Sequence, residues 1–119
     1  MLGIIGAMDK EVDALRAAMT DVREEKIGFT RCTVGTLWGA PVCLAQCGIG
    51  KVHAALCAQA VILRYQVDAL LNIGVAGALR PSLNIGDAVI ALSAVQHDMD
   101  TTPLGDPPGL TDRRGHTDR

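Results

Sequence analysis

Glu11 is the residue whose type and position best suit chemistry. It follows the run Ile4-Ile5-Gly6-Ala7-Met8-Asp9-Lys10, where an apolar stretch gives way to a small-residue turn and then to a helix-like pattern. A carboxylate beside such a turn can accept a proton from water and offset positive charge on a bound ligand. A turn with little side-chain bulk lets that ligand approach the backbone amides. The same position equally suits an ordinary first-turn glutamate that complements the helix dipole. Gly74-Val75-Ala76-Gly77, after the apolar Leu70-Leu71-Asn72-Ile73, is a second turn of this kind, and Gly48-Ile49-Gly50-Lys51 is a third. Each also reads as close strand–loop packing, and Lys51 as either a phosphate ligand or a solvated helix-start residue. None is a dinucleotide fingerprint or a phosphate loop, because neither glycine spacing nor a Gly-Lys-Ser/Thr ending is present. His97, Asp98 and Asp100 form a polar cluster after the last apolar run. A metal site needs a further converging group, so structural hydrogen bonding is the simpler role.

The first two of these turns follow parallel-type strands, which in such sheets puts them at the same edge. Leu2 to Gly6 reads as a short buried strand. Met8, Val12, Leu15 and Met19 then recur at the period of one helix face, with Asp9 expected as N-cap. Arg23 to Lys26 reads as a charged connector. Phe29 to Leu37 and Val42 to Gln46 read as a hairpin around a Gly39-Ala40-Pro41 turn. A second helix follows Gly50, with Val52, Ala55, Leu56 and Leu63 as its apolar face and an end near Tyr65. Asp68 to Ile73 reads as a strand covered on both faces, Pro81 to Asp87 as a loop and Ala88 to Ala94 as a last apolar strand. The fold class is therefore α/β with a mostly parallel or mixed sheet, and ligands are expected at the strand ends.

Composition bounds the rest. The 119 residues suit one domain, and 49% apolar with 20% charged residues suits a packed core. A net charge of −2 and only three aromatic residues (Phe29, Trp38 and Tyr65) give no basis for nucleic-acid binding. No apolar run approaches the roughly 18 residues of a membrane span, and the N-terminus lacks the pattern of a signal peptide. The expectation is a cytoplasmic protein whose Cys32, Cys43, Cys47 and Cys57 stay reduced and pack as small hydrophobes. Past Ala94 the pattern changes: prolines crowd 103–109, and 110–119 holds one apolar residue, Leu110. That last stretch reads as a disordered or out-of-frame tail.

Taken in order, five stretches resemble the 5′-methylthioadenosine/S-adenosylhomocysteine nucleosidases of the nucleoside phosphorylase/hydrolase superfamily. They are Ile4-Ile5-Gly6-Ala7-Met8 with Glu11, Cys47-Gly48-Ile49-Gly50-Lys51-Val52, Asn72-Ile73-Gly74-Val75-Ala76-Gly77, Ile85-Gly86-Asp87 and Gln96-His97-Asp98-Met99-Asp100. The resemblance spans residues 1 to about 109 and corresponds to the N-terminal half of a doubly wound domain roughly twice this long.

It implies hydrolysis of an N-glycosidic bond, releasing adenine and a thio-substituted ribose, with no cofactor and no metal. By resemblance Glu11 orients and activates the attacking water. Met8 and Ile49 contact the ribose and its 5′-thio substituent, Val75 and Gly77 lie beside the nucleoside, and Thr101 and Leu104 line the 5′ pocket. The family is usually homodimeric. Its proton donor to adenine and its ribose-binding glutamate belong to the second half, which has no recognisable motif in this chain. The expectation is therefore a truncated chain of weak or absent activity. A phosphorylase and a non-catalytic nucleoside- or partner-binding fragment are the alternatives.

Overall fold

The computed structural model describes residues 1–108, so the expected tail at 110–119 lies outside the described residues. The chain divides into two compact units, Met1–Gly77 and a second beginning at Ala78. The first unit holds a five-stranded sheet. Its elements are β1 (Leu2–Gly6), α1 (Asp9–Ala18), β2 (Thr20–Ile27), β3 (Thr30–Leu37), β4 (Ala40–Gln46), α2 (Lys51–Tyr65) and β5 (Ala69–Asn72).

Strand order is β2-β3-β4-β1-β5. β1 runs parallel to β4 and β5, whereas β2–β3 and β3–β4 are antiparallel, so the sheet is mixed. Two-residue periodicity sorts the strand side chains onto two faces. Ile4, Val42, Leu44 and Leu37 pack with Val12 and Met19 of the α1 segment. Ile5, Cys32, Val34, Cys43 and Ala45 pack with Cys57 and Val61 of α2. The sheet is thus sandwiched by one helix on each face, and β1 is buried on both. All four cysteines are free and buried, as expected of small hydrophobes.

Several expectations need correction. The Arg23–Lys26 connector is part of an edge strand, β2. Its charges do not prevent pairing because charged residues on both faces of the strand find polar partners. Glu25 accepts from Arg23 Nε and from the Tyr65 hydroxyl, each at 2.7 Å, while Glu24 accepts from the Thr33 hydroxyl at 2.7 Å. The β3–β4 turn is Trp38-Gly39, both with positive φ (49° and 83°), the backbone that a two-residue hairpin loop requires. Ala40 and Pro41 therefore lie inside β4, where Pro41 pairs with Thr36 ahead of the β1 ladder that starts at Val42.

The buried face of α2 carries Ala54, Cys57, Ala58, Val61 and Tyr65 rather than the expected residues. Val52, Leu56 and Leu63 are 73%, 53% and 70% exposed. Both helix faces are apolar, so periodicity alone does not choose between them. β5 is exposed rather than covered, since it ends the sheet. The expected strand at Ala88–Ala94 is not one: residues 88–94 form no ladder, and Val89, Ile90 and Leu92 are exposed. A strand exists only where a second edge accepts its hydrogen bonds, and the second unit contains no strand among its described residues. Its regular element is a short 3-10 turn at Thr102–Leu104.

Candidate functional site

Three backbone hydrogen bonds prolong the ladders just past the C-terminal strand ends. Cys47 N–H donates to Gly6 O at 2.9 Å, Gly48 N–H to Ala7 O at 3.1 Å, and Ile73 N–H to Ile5 O at 2.9 Å. They bring the Ala7–Met8, Gly48–Gly50 and Gly74–Val75 segments to one edge of the sheet. Gly6 permits the tight exit from β1, because a Cβ there would stand 2.5 Å from the buried Val12 Cγ1.

Glu11 sits in the first turn of α1, and its carboxylate spans two of these turns. Oε2 accepts the N–H groups of Ala7 at 2.8 Å and Met8 at 3.0 Å. Oε1 accepts the N–H of Val75 at 3.2 Å, across 64 residues of sequence. Met8, not Asp9, is the N-cap, and its side chain makes no cap hydrogen bond. Glu11 instead reaches back to satisfy the orphan N–H groups at the helix start. The Val75 N–H first, then that of Met8, holds the carboxyl below the ordinary glutamate range despite an opposing effect of burial. Glu11 is thus an anion with three fixed donors. A carboxylate offers about four acceptor positions, so one remains for a water or a hydroxyl.

The other expected residues fall into two groups. Met8 and Val75 each give it an N–H, and Gly77 follows on the same turn, with open space where a Cβ would point. Ile49 lies on the Gly48–Gly50 turn, with a side chain 74% exposed. Thr101 and Leu104 belong to the second unit, where the Leu104 N–H closes the 3-10 turn on Thr101 O at 2.9 Å. Asp100 caps that turn, accepting from Thr102 N–H at 2.9 Å and Oγ1 at 2.6 Å. A structural role therefore accounts for this member of the His97–Asp100 cluster.

Cys47, beside the site, donates from its thiol to Gly48 O at 3.2 Å. Burial pushes the Cys47 thiol up and that of Cys57 up to about 11, which leaves both protonated and unreactive. A cleft of about 610 Å³ lined by Arg16, Glu24, Glu25, Lys26, Phe29 and Arg31 contains no expected site residue. Sequence reasoning missed the steric role of Gly74, where an added Cβ would press on the Glu11 carboxylate. Its place in the small-residue turn was the available signal.

The family model of the phosphorylase superfamily matches residues 1–118. A 5′-methylthioadenosine/S-adenosylhomocysteine nucleosidase from Marinomonas sp. (strain MWYL1) is 43% identical over 105 residues, covering 88% of this chain and 46% of that protein. The crystal structure of the Neisseria meningitidis nucleosidase in complex with methylthio-immucillin-A superposes with a TM-score of 0.90 at 36% identity. It matches 94% of this chain and 48% of its own. The nucleosidase from Colwellia psychrerythraea in complex with adenine also gives a TM-score of 0.90, at 40% identity, with 92% and 46% covered. The chain thus spans about half the length of the curated relatives it matches. Motif order, fold and family match agree: the chain belongs to the phosphorylase superfamily, where its relatives are 5′-methylthioadenosine/S-adenosylhomocysteine nucleosidases.

Proposed function

We propose that the chain serves N-glycosidic hydrolysis of 5′-methylthioadenosine and S-adenosylhomocysteine, with release of adenine. The observation that carries this reading is the Glu11 carboxylate held between two turns by Ala7, Met8 and Val75. Glycosidic cleavage passes through an oxocarbenium-like state. A fixed negative charge near the anomeric carbon stabilises that state, and the remaining acceptor position orients the attacking water. In this reading Met8 and Ile49 contact the ribose and its 5′-thio group. Val75 and Gly77 flank the nucleoside, and Thr101 and Leu104 line the 5′ pocket. No cofactor or metal enters the reaction. The relatives solved with adenine and with methylthio-immucillin-A support a nucleoside-sized ligand.

Phosphorolysis is disfavoured because Asp9 and Glu11 stand at the first turn, where a phosphate dianion would be repelled and water would not. The proton donor to adenine and the ribose-binding glutamate have no motif in residues 1–109. General-acid assistance is typically worth about 10²–10⁴-fold, so release without that donor is expected to be slow.

A homodimer fits the apolar face of α2 formed by Val52, Leu56 and Leu63, an exposed stripe of the kind that marks interfaces. Cytoplasmic residence fits the absence, among the described residues, of any helix long and apolar enough to cross a membrane. Adenine release from 5′-methylthioadenosine, measured with and without phosphate, tests the function. Slow phosphate-independent release, abolished by Glu11→Gln, is expected. Phosphate-dependent release would identify a phosphorylase, and nucleoside binding without release a non-catalytic fragment.

A further inference from the structure

We propose that Gly74 is a positioning residue for Glu11: the lack of a side chain there lets the carboxylate seat on the Val75 N–H and keeps its last acceptor position open. The consequence for turnover rests on the hydrolytic reading, but the geometry does not.

A Cβ on Gly74 would stand 3.0 Å from Glu11 Oε1, 3.5 Å from Cδ and 3.9 Å from Oε2, so it would project onto the carboxyl group. At 3.0 Å one side must give. The Oε2 end of Glu11 is tied to the N–H groups of Ala7 and Met8, and the next residue, Val12, is fully buried. On the other side, Ile73 N–H is bonded to Ile5 O, which fixes where β5 delivers Gly74. The link left to yield is the longest of the three, Val75 N–H to Oε1 at 3.2 Å. A methyl group at Gly74 would also occupy space next to Oε1, the oxygen that still has an acceptor position. Gly77 supplies the contrast, since a Cβ there meets nothing within 4 Å. Two glycines of one turn therefore have different reasons for being glycine.

The test is an NMR pH titration of the isotope-labelled chain. In the unaltered protein the amides of Ala7, Met8 and Val75 should all follow the Glu11 carboxyl, with a midpoint below the ordinary glutamate range. In Gly74→Ala the Val75 amide should cease to follow, Ala7 and Met8 should continue, and the midpoint should move up. Gly77→Ala should reproduce the unaltered pattern. A Val75 amide that still tracks Glu11 at the original midpoint in Gly74→Ala would overturn the proposal, as would an equal effect of Gly77→Ala. A double-mutant cycle covers variants of low stability. The unfolding cost of Gly74→Ala should largely vanish in a Glu11→Ala background, and an equal cost in both backgrounds overturns the proposal. None of these readouts needs turnover, so failure of the nucleosidase reading would leave them intact.

Discussion

Met1–Gly77 and the stretch from Ala78 to Pro108 are both rich in alanine, valine, leucine and isoleucine, yet they reach different states. Every buried residue among those described lies between Gly3 and Val61. From Ala78 onward no described residue is buried, and Leu79 and Ile90 are 98% and 89% exposed. The difference is not apolarity. In the first unit each central strand has a ladder on both sides and a helix over each face, so backbone polar groups and apolar side chains are satisfied together. Residues 88–94 have the apolar side chains without a ladder, and water must then serve their N–H and C=O groups.

The sharpest way to break this contrast is to truncate one leucine in each region. Leu44→Ala, at a fully buried position of β4, should cost about 2–5 kcal/mol in urea unfolding. Leu92→Ala should stay within about 0.5 kcal/mol, as for an exposed site. Comparable costs would show that residues 88–94 belong to a packed core. Hydrogen exchange sharpens the same point. Amides of β1 and β4 should open only with global unfolding, while those of residues 88–94 should exchange close to their intrinsic rates.

A smaller effect, about 1 kcal/mol, is expected for Glu11→Gln, because charge-assisted hydrogen bonds to three N–H groups are replaced by weaker ones partly open to water. Its signature is pH dependence. The folded state holds the Glu11 carboxyl below its unfolded value, so its stabilising contribution is complete above the ordinary glutamate value of about 4.3. That contribution declines as pH falls from there through the lower folded value. Glu11→Gln should remove this acid-limb component of stability, seen as a smaller loss of Tm between neutral and acidic pH. The smallest effect concerns Lys26 and Arg31, like charges directly opposite on β2 and β3. Lys26→Glu should raise stability by a few tenths of a kcal/mol, since opposite charges at such a pair are favourable.

Legibility followed how local the controlling physics was. β1, α1, β3 and the extent of α2 could be read because composition and period are properties of a few neighbouring residues. The buried face of α2 could not, since Ala54, Cys57 and Val61 compete with an equally apolar Val52, Leu56 and Leu63, and only the position of the sheet chooses between them. β2 was obscured by Arg23, Glu24 and Glu25, whose charges become compatible with a strand once Tyr65 and Thr33 are placed beside them. At the site, Glu11 and the glycine turns were visible, and the family resemblance supplied their order. The contact between Glu11 and Val75 was not visible as a hydrogen bond.

The sequence by itself determined the alternation of strands and helices, the three small-residue turns and the carboxylate at the first of them, because each depends on residue type at short spacing. Only the tertiary structure decided that the Gly48–Gly50 turn joins the other two at that edge, that Glu11 is occupied by the N–H groups of Ala7, Met8 and Val75, and that Ala88–Ala94 carries no ladder among the described residues. The reason is physical. Parallel pairing of β1 with β4 and β5 brings together chain segments as much as 67 residues apart, and hydrogen bonds across such spans are fixed by strand register rather than by local preference.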